Sequence, residues 1–91
     1  MKEKRTEVRI PLMALVDVLW TDGVGSPRVS PAKLEDKSPS GLSVRMKEPV
    51  GDGSHVTVRW GTEQVQGIVT HCRRQKDQFI VGVKREIGVE Q

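Results

Sequence analysis

Ninety-one residues, 35% hydrophobic and 30% charged, suffice for one small domain with a single core and exclude a second. The single cysteine, Cys72, excludes an internal disulfide, and no apolar run approaches the ~18 residues needed to cross a bilayer. A formal charge of +3 admits an anionic ligand without demanding one, while two Trp, one Phe and no Tyr supply few platforms for stacking single-stranded nucleic acid.

The first nine residues, MKEKRTEVR, are polar and alternate in charge, so residues 1–11 are expected to form a flexible arm. Pro11 and Asp17 interrupt the apolar stretch that follows, so no secretory signal is read here. With the lone thiol this points to the cytoplasm. Residues 12–84 are expected to form the folded barrel and 85–91 a short tail.

Leu12 to Trp20 is apolar apart from Asp17 and reads as the first strand. Thr21 to Pro31, thick with Gly, Pro, Ser and Asp, reads as a turn-rich connection, and Ala32 to Asp36 as a short second strand. Leu42, Val44 and Met46 alternate with Ser43, Arg45 and Lys47; Val56, Val58 and Trp60 alternate with His55, Thr57 and Arg59. This period of two marks half-buried strands with one wet face. Asp52-Gly53 and Gly61-Thr62 are hairpin-type turn signals, the second with Gly where a type II′ turn needs it. Gln64 to Cys72 and Gln78 to Lys84 complete the set, with Phe79, Val81 and Val83 facing inward. About six short strands joined by turns predict a small antiparallel barrel or sandwich. No helix-length periodic segment occurs, and the tail is too short for a stable isolated helix.

Two short motifs stand out, Arg5-Thr6-Glu7-Val8-Arg9 in the arm and Asp36-Lys37-Ser38-Pro39-Ser40-Gly41 after the second strand. In this order and strand context the chain resembles the PilZ domain family, which carries R-x-x-x-R before its first strand and [D/N]-x-S-x-x-G between its second and third. Pro49-Val50-Gly51-Asp52-Gly53 and Ile80-Val81-Gly82-Val83 extend the likeness over residues 4 to 84. The resemblance implies a six-stranded antiparallel split barrel, all-β, with little or no C-terminal helix. Its implied ligand is cyclic di-GMP, bound by Arg5, Arg9, Asp36, Ser38 and Gly41, with Lys4, Lys37 and Ser40 as additional contacts. No cofactor, metal or membrane insertion is implied.

The residue types suit that ligand. Arginine gives charge-assisted bonds to phosphate and can stack on, or fork to, a guanine. Asp36 can accept from a guanine N1–H and N2–H₂ edge, and Ser38 can donate to phosphate. Gly41 lets the backbone pass close to a flat ligand and take a positive φ if the turn requires one. Three positions depart from the family pattern: Lys37 stands where an apolar residue is usual, Ser40 where glycine is frequent, and seven residues after Lys84 leave no room for the helix that closes many such barrels.

The expected function is a receptor module in second-messenger signalling, as in motility or biofilm control. Ligand phosphates draw the arm onto the barrel, and the ordered arm signals to a protein partner. The alternatives are an adaptor of the same fold that binds no nucleotide and acts by protein contact in motility or secretion, and, more weakly, an oligonucleotide-binding barrel. An enzyme is not expected. His71 and Cys72 are adjacent on a strand and face opposite sides, and one cysteine with two histidines makes no zinc set. Those three residues read as structural, Trp20 and Trp60 as packing residues, and Asp17 as solvent-facing or paired with an arginine.

Overall fold

A computed structural model describes residues 10–86, with side chains from residue 14 onward. Six strands follow one another: β1 (Ile10–Thr21), β2 (Pro27–Ser38), β3 (Gly41–Met46), β4 (His55–Trp60), β5 (Glu63–Gln75) and β6 (Gln78–Arg85). They close into an antiparallel barrel in the order β1-β2-β3-β6-β5-β4. The pairing of Asp17–Trp20 of β1 with Val56–Arg59 of β4 completes the ring. The six-strand all-β barrel expected from the sequence is the one observed, and no helix occurs among the described residues.

The alternation sets what faces inward. Val16, Val18 and Trp20 of β1 meet Ala32 and Leu34 of β2, Leu42, Val44 and Met46 of β3, and Val56 and Val58 of β4. Val65 and Val69 of β5 and Val81 and Val83 of β6 fill the remaining arc, with Phe79 and Trp60 packed at the rim. Closure gives every strand a neighbour on both sides over part of its length, and apolar burial supplies the driving force.

Three expectations about the elements are corrected. Residues 21–31 are not one long connection: β2 begins at Pro27, and only 22–26 form the turn. Pro27 and Pro31 fit in a strand here because residues 27–31 pair with β1 alone, while β3 pairs with 32–38. An unpartnered flank is where a strand tolerates proline. The strands are also not uniformly short, since β1, β2 and β5 have 12, 12 and 13 residues. Asp52-Gly53 does not make a hairpin, because β3 and β4 are not neighbours. Gly53, at φ 86°, instead bends a loop that ties to β5 through its own N–H on Val69 O (2.7 Å) and Val69 N–H on Ser54 O (2.9 Å). The Gly61-Thr62 turn does join paired strands, with Gly61 at φ 55°.

The β1–β2 turn is organised by Asp22, whose Oδ1 accepts from the N–H of Val24 (3.0 Å) and of Ser26 (2.9 Å). Arg28 bonds Glu48 at 2.5 Å, stands 3.7 Å from Asp22 and lies over the Trp20 ring. The Ser26 backbone bond foremost, then that of Val24 and the Arg28 charge, hold the Asp22 carboxyl below its ordinary 3.8. A depressed carboxyl stabilises the fold above its unfolded pKa, and that contribution disappears as pH falls through the folded value. The Val24 and Ser26 amide shifts should therefore titrate together with a midpoint below 3.8, and Asp22→Asn should abolish that step.

β6 approaches β5 closely at Gly67, where an added Cβ would stand 2.5 Å from Lys84 O and from Val83 Cγ1. Gly67→Ala should cost about 1–3 kcal/mol, the range for overpacking a filled interior, read from urea unfolding.

Candidate functional site

Arg5, Arg9 and Lys4 lie outside the described residues. The second motif is fully in view, and its geometry depends on a phase shift in β2. The β2–β3 register slips between Leu34 and Asp36, so Leu34 pairs with Val44, Asp36 with Ser43, Lys37 with Leu42 and Ser38 with Gly41. Directly paired residues share a face. The slip therefore puts Asp36 and Ser38 on the outer face with Ser43, and turns Lys37 inward with Leu42.

Asp36, Ser38, Ser40 and Gly41 line one open depression of about 480 Å³ on the outside of the barrel. Within it Ser38 Oγ stands 3.2 Å from Ser40 Oγ and 3.4 Å from Gly41 O. Ser40 costs no strain, since its φ is not positive. Gly41 does not take a positive φ either; it is required because a Cβ would overlap Val83 O on β6.

Lys37 does not line the depression. Its ammonium sits 5.2 Å from the centre of the Trp60 ring and 3.5 Å from Glu63, at the end of the barrel. The stem of this lysine covers the apolar rim that an apolar residue would otherwise cover, while its charge remains paired.

The opposite wall of the depression comes from β5 and β6 and was not foreseen. It includes Thr70, His71 and Arg73 of β5 with Ile80, Gly82 and Lys84 of β6. A second register slip, between Val69 and His71, brings His71 there. Under unbroken alternation His71 would share the inward phase of Val69; with the slip, His71 pairs with Gly82 and faces out, and Cys72 pairs with Val81 and packs against the core. The His71 ring occupies the space that a side chain at residue 82 would fill. Thr70 Oγ1 donates to Gly82 O (3.3 Å) and stands 3.4 Å from His71 Nδ1.

The depression thus joins one carboxylate, Asp36, to two cations, Arg73 and Lys84, with serine and threonine hydroxyls between them. Such a surface can hold an anion with a hydrogen-bonding face. The neighbouring Arg45 is committed elsewhere, to Glu35 at 2.6 Å and Gln75 at 3.0 Å. A larger depression of about 680 Å³ lies between Leu19, Trp20, Arg28, His55 and Glu86, and no residue of the Asp36–Gly41 motif lines it. Trp20 is buried in the core there, and His55 is 3.8 Å from Glu86. Asp17 is exposed on β1 opposite Arg59 of β4. Among the described residues no three His, Cys, Asp or Glu side chains group to hold a metal.

No family model matches the chain, and no curated protein matches it in sequence. Solved structures that share its architecture include K. pneumonia MrkH in complex with c-di-GMP, 12% identical over 93% of this chain and 45% of that one, with a TM-score of 0.64. Another is the PilZ domain of YcgR from Escherichia coli with c-di-GMP, 12% identical over 94% of this chain and 81% of that one, with a TM-score of 0.63. The chain has a PilZ-like fold. It spans less than half of the MrkH chain, and at this identity the likeness is one of fold. In this PilZ-like barrel Asp36, Lys37 and Ser38 end β2 and Gly41 begins β3.

Gly82→Ala tests the β5–β6 wall directly. The added methyl should expel the His71 ring, shift its imidazole signals in NMR spectra and cost about 1–3 kcal/mol of unfolding free energy.

Proposed function

We propose that this PilZ-like barrel is a cyclic di-GMP-binding module, not an enzyme, with Asp36, Ser38 and Gly41 as contacts on the barrel and Arg5 and Arg9 as contacts from the preceding segment. The observation that carries the reading is a convergence of place. β1 begins with Ile10 opposite Lys37 and Pro11 opposite Asp36. The start of β1 thus lies beside the strand that carries Asp36 and Ser38, and Arg9 is the residue before Ile10 in sequence. Arg5 precedes Arg9 by four residues, a span of at most ~14 Å in extended chain. The c-di-GMP complexes of MrkH and YcgR, which share the fold, support the choice of ligand.

In this reading Arg5 and Arg9 take phosphate oxygens and guanine edges or faces, Asp36 accepts from a guanine N1–H and N2–H₂, and Ser38 donates to phosphate. Lys4 and Ser40 add contacts at the margin. Lys37 is left out, since its ammonium is held by Glu63 over Trp60. Binding orders the arm on the barrel, and the ordered arm signals to a protein partner in the cytoplasm. The β1–β2 ribbon offers a surface for such contact: Leu15 and Val29 on its outer face and Val24 in its turn are 74%, 59% and 86% exposed. That same surface favours the second reading, an adaptor of this fold that works by protein contact without nucleotide.

Calorimetric titration with cyclic di-GMP, with GTP as control, separates the two. Arg9→Ala and Arg5→Ala should each lose about 2–3 kcal/mol of binding free energy, the size of hydrogen bonds to a charged group. Lys37→Met should bind as the parent does and alter only the Trp60 fluorescence. No heat at high micromolar ligand, or unchanged affinity in both arginine variants, sinks the nucleotide reading.

A further inference from the structure

We infer that His71 couples ligand binding at this depression to proton uptake, so that the module binds its anionic ligand more tightly as pH falls. The inference rests on the cyclic di-GMP reading and adds a regulation to it. Two features fix the imidazole. Gly82 leaves the space that the ring fills, and the extra residue at Thr70 puts hydroxyl and ring on the same side of β5. The Thr70 hydroxyl has one hydrogen, and the 3.3 Å bond to Gly82 O uses it. Toward His71 Nδ1, at 3.4 Å, the hydroxyl oxygen is then an acceptor, which selects the ring form with hydrogen on Nδ1. In the neutral ring that leaves Nε2 a lone pair, which repels a phosphate oxygen. Only the imidazolium carries N–H at both nitrogens and can donate Nε2–H to an anion.

The charged groups around the ring come from each strand that lines the depression. β5 contributes Arg73, β6 Lys84 and β2 Asp36, while β3 contributes the uncharged Ser43. Binding adds the ligand's two phosphate charges and, in the proposed reading, the guanidinium groups of Arg5 and Arg9; a phosphate oxygen that takes Nε2–H directly is nearer the ring than either guanidinium and favours its protonated form. By linkage, a ligand that favours protonation is itself bound more tightly where the proton is available. Imidazole is the side chain that makes this exchange across the neutral range.

The test is calorimetric titration of the full chain with cyclic di-GMP at pH 6, 7 and 8, repeated at pH 7 in buffers of different ionisation enthalpy. A buffer-dependent heat reports protons taken up, independently of any loss of packing. The parent should take up a fraction of one proton and bind about three- to tenfold more weakly at pH 8 than at pH 6, within the limit of tenfold per pH unit for one linked proton. His71→Gln should bind with no proton uptake and a flat pH profile, and His55→Gln, which does not line the depression, should behave as the parent. Binding without proton uptake in the parent, or the same uptake in His71→Gln, overturns the inference while leaving the nucleotide reading intact. No binding at any pH overturns the nucleotide reading, and this inference with it.

Discussion

Three positions on β6 and its two neighbours have no room for a side chain. A Cβ at Gly41 would overlap Val83 O, one at Gly67 would meet Lys84 O, and one at Gly82 would overlap the His71 ring. At Gly41 and Gly67 the obstacle includes the backbone of β6, an approach that glycine allows; at Gly82 it is the ring of His71. Inside the ring Val44, Val58, Val69, Val81 and the larger Leu34 and Met46 are fully buried. Two of the three glycines, Gly41 and Gly82, line the depression. Stability and site thus share one constraint.

Two register slips determine what that depression presents. In β2 the slip after Leu34 turns Asp36 and Ser38 outward; in β5 the slip after Val69 does the same for His71 and Arg73. Each bulge converts a strand that would carry a continuous inward phase into one whose two ends face opposite sides. The result is a wall from β2 and β3, rich in hydroxyls with one carboxylate, facing a wall from β5 and β6 that holds the cations. A ligand with anionic groups and a hydrogen-bonding edge matches both walls together.

The period-two runs at Leu42–Met46 and Val56–Trp60 made the strands legible in the sequence, as Gly61 did for its turn. The same logic fails at Thr21–Pro31, because Pro27 and Pro31 signal a turn in the sequence while this part of β2 is a strand that pairs on one flank only. The site was half legible. Its motif residues Asp36, Ser38 and Gly41 were visible as a spacing, but the inward turn of Lys37 depends on a bulge that no residue type announces. His71 was read as structural for a related reason. In retrospect the pattern carried a sign: counting by twos from Val65 reaches polar His71, while the next apolar residue, Cys72, is out of phase. That phase break is the bulge, and it places a titratable ring where the alternation alone would have buried it.

The central claim is that the Asp36–Gly41 turn and the facing wall of β5 and β6 receive cyclic di-GMP together with the segment that precedes β1. An amide-resolved NMR titration of the full chain measures this most directly. The account predicts that the signals of Asp36, Ser38, Gly41, Thr70, His71 and Gly82 shift saturably, and that those of residues 5 to 9 acquire the relaxation of the folded barrel. Shifts confined to the depression around Leu19, Trp20 and His55, or none at all, would contradict it.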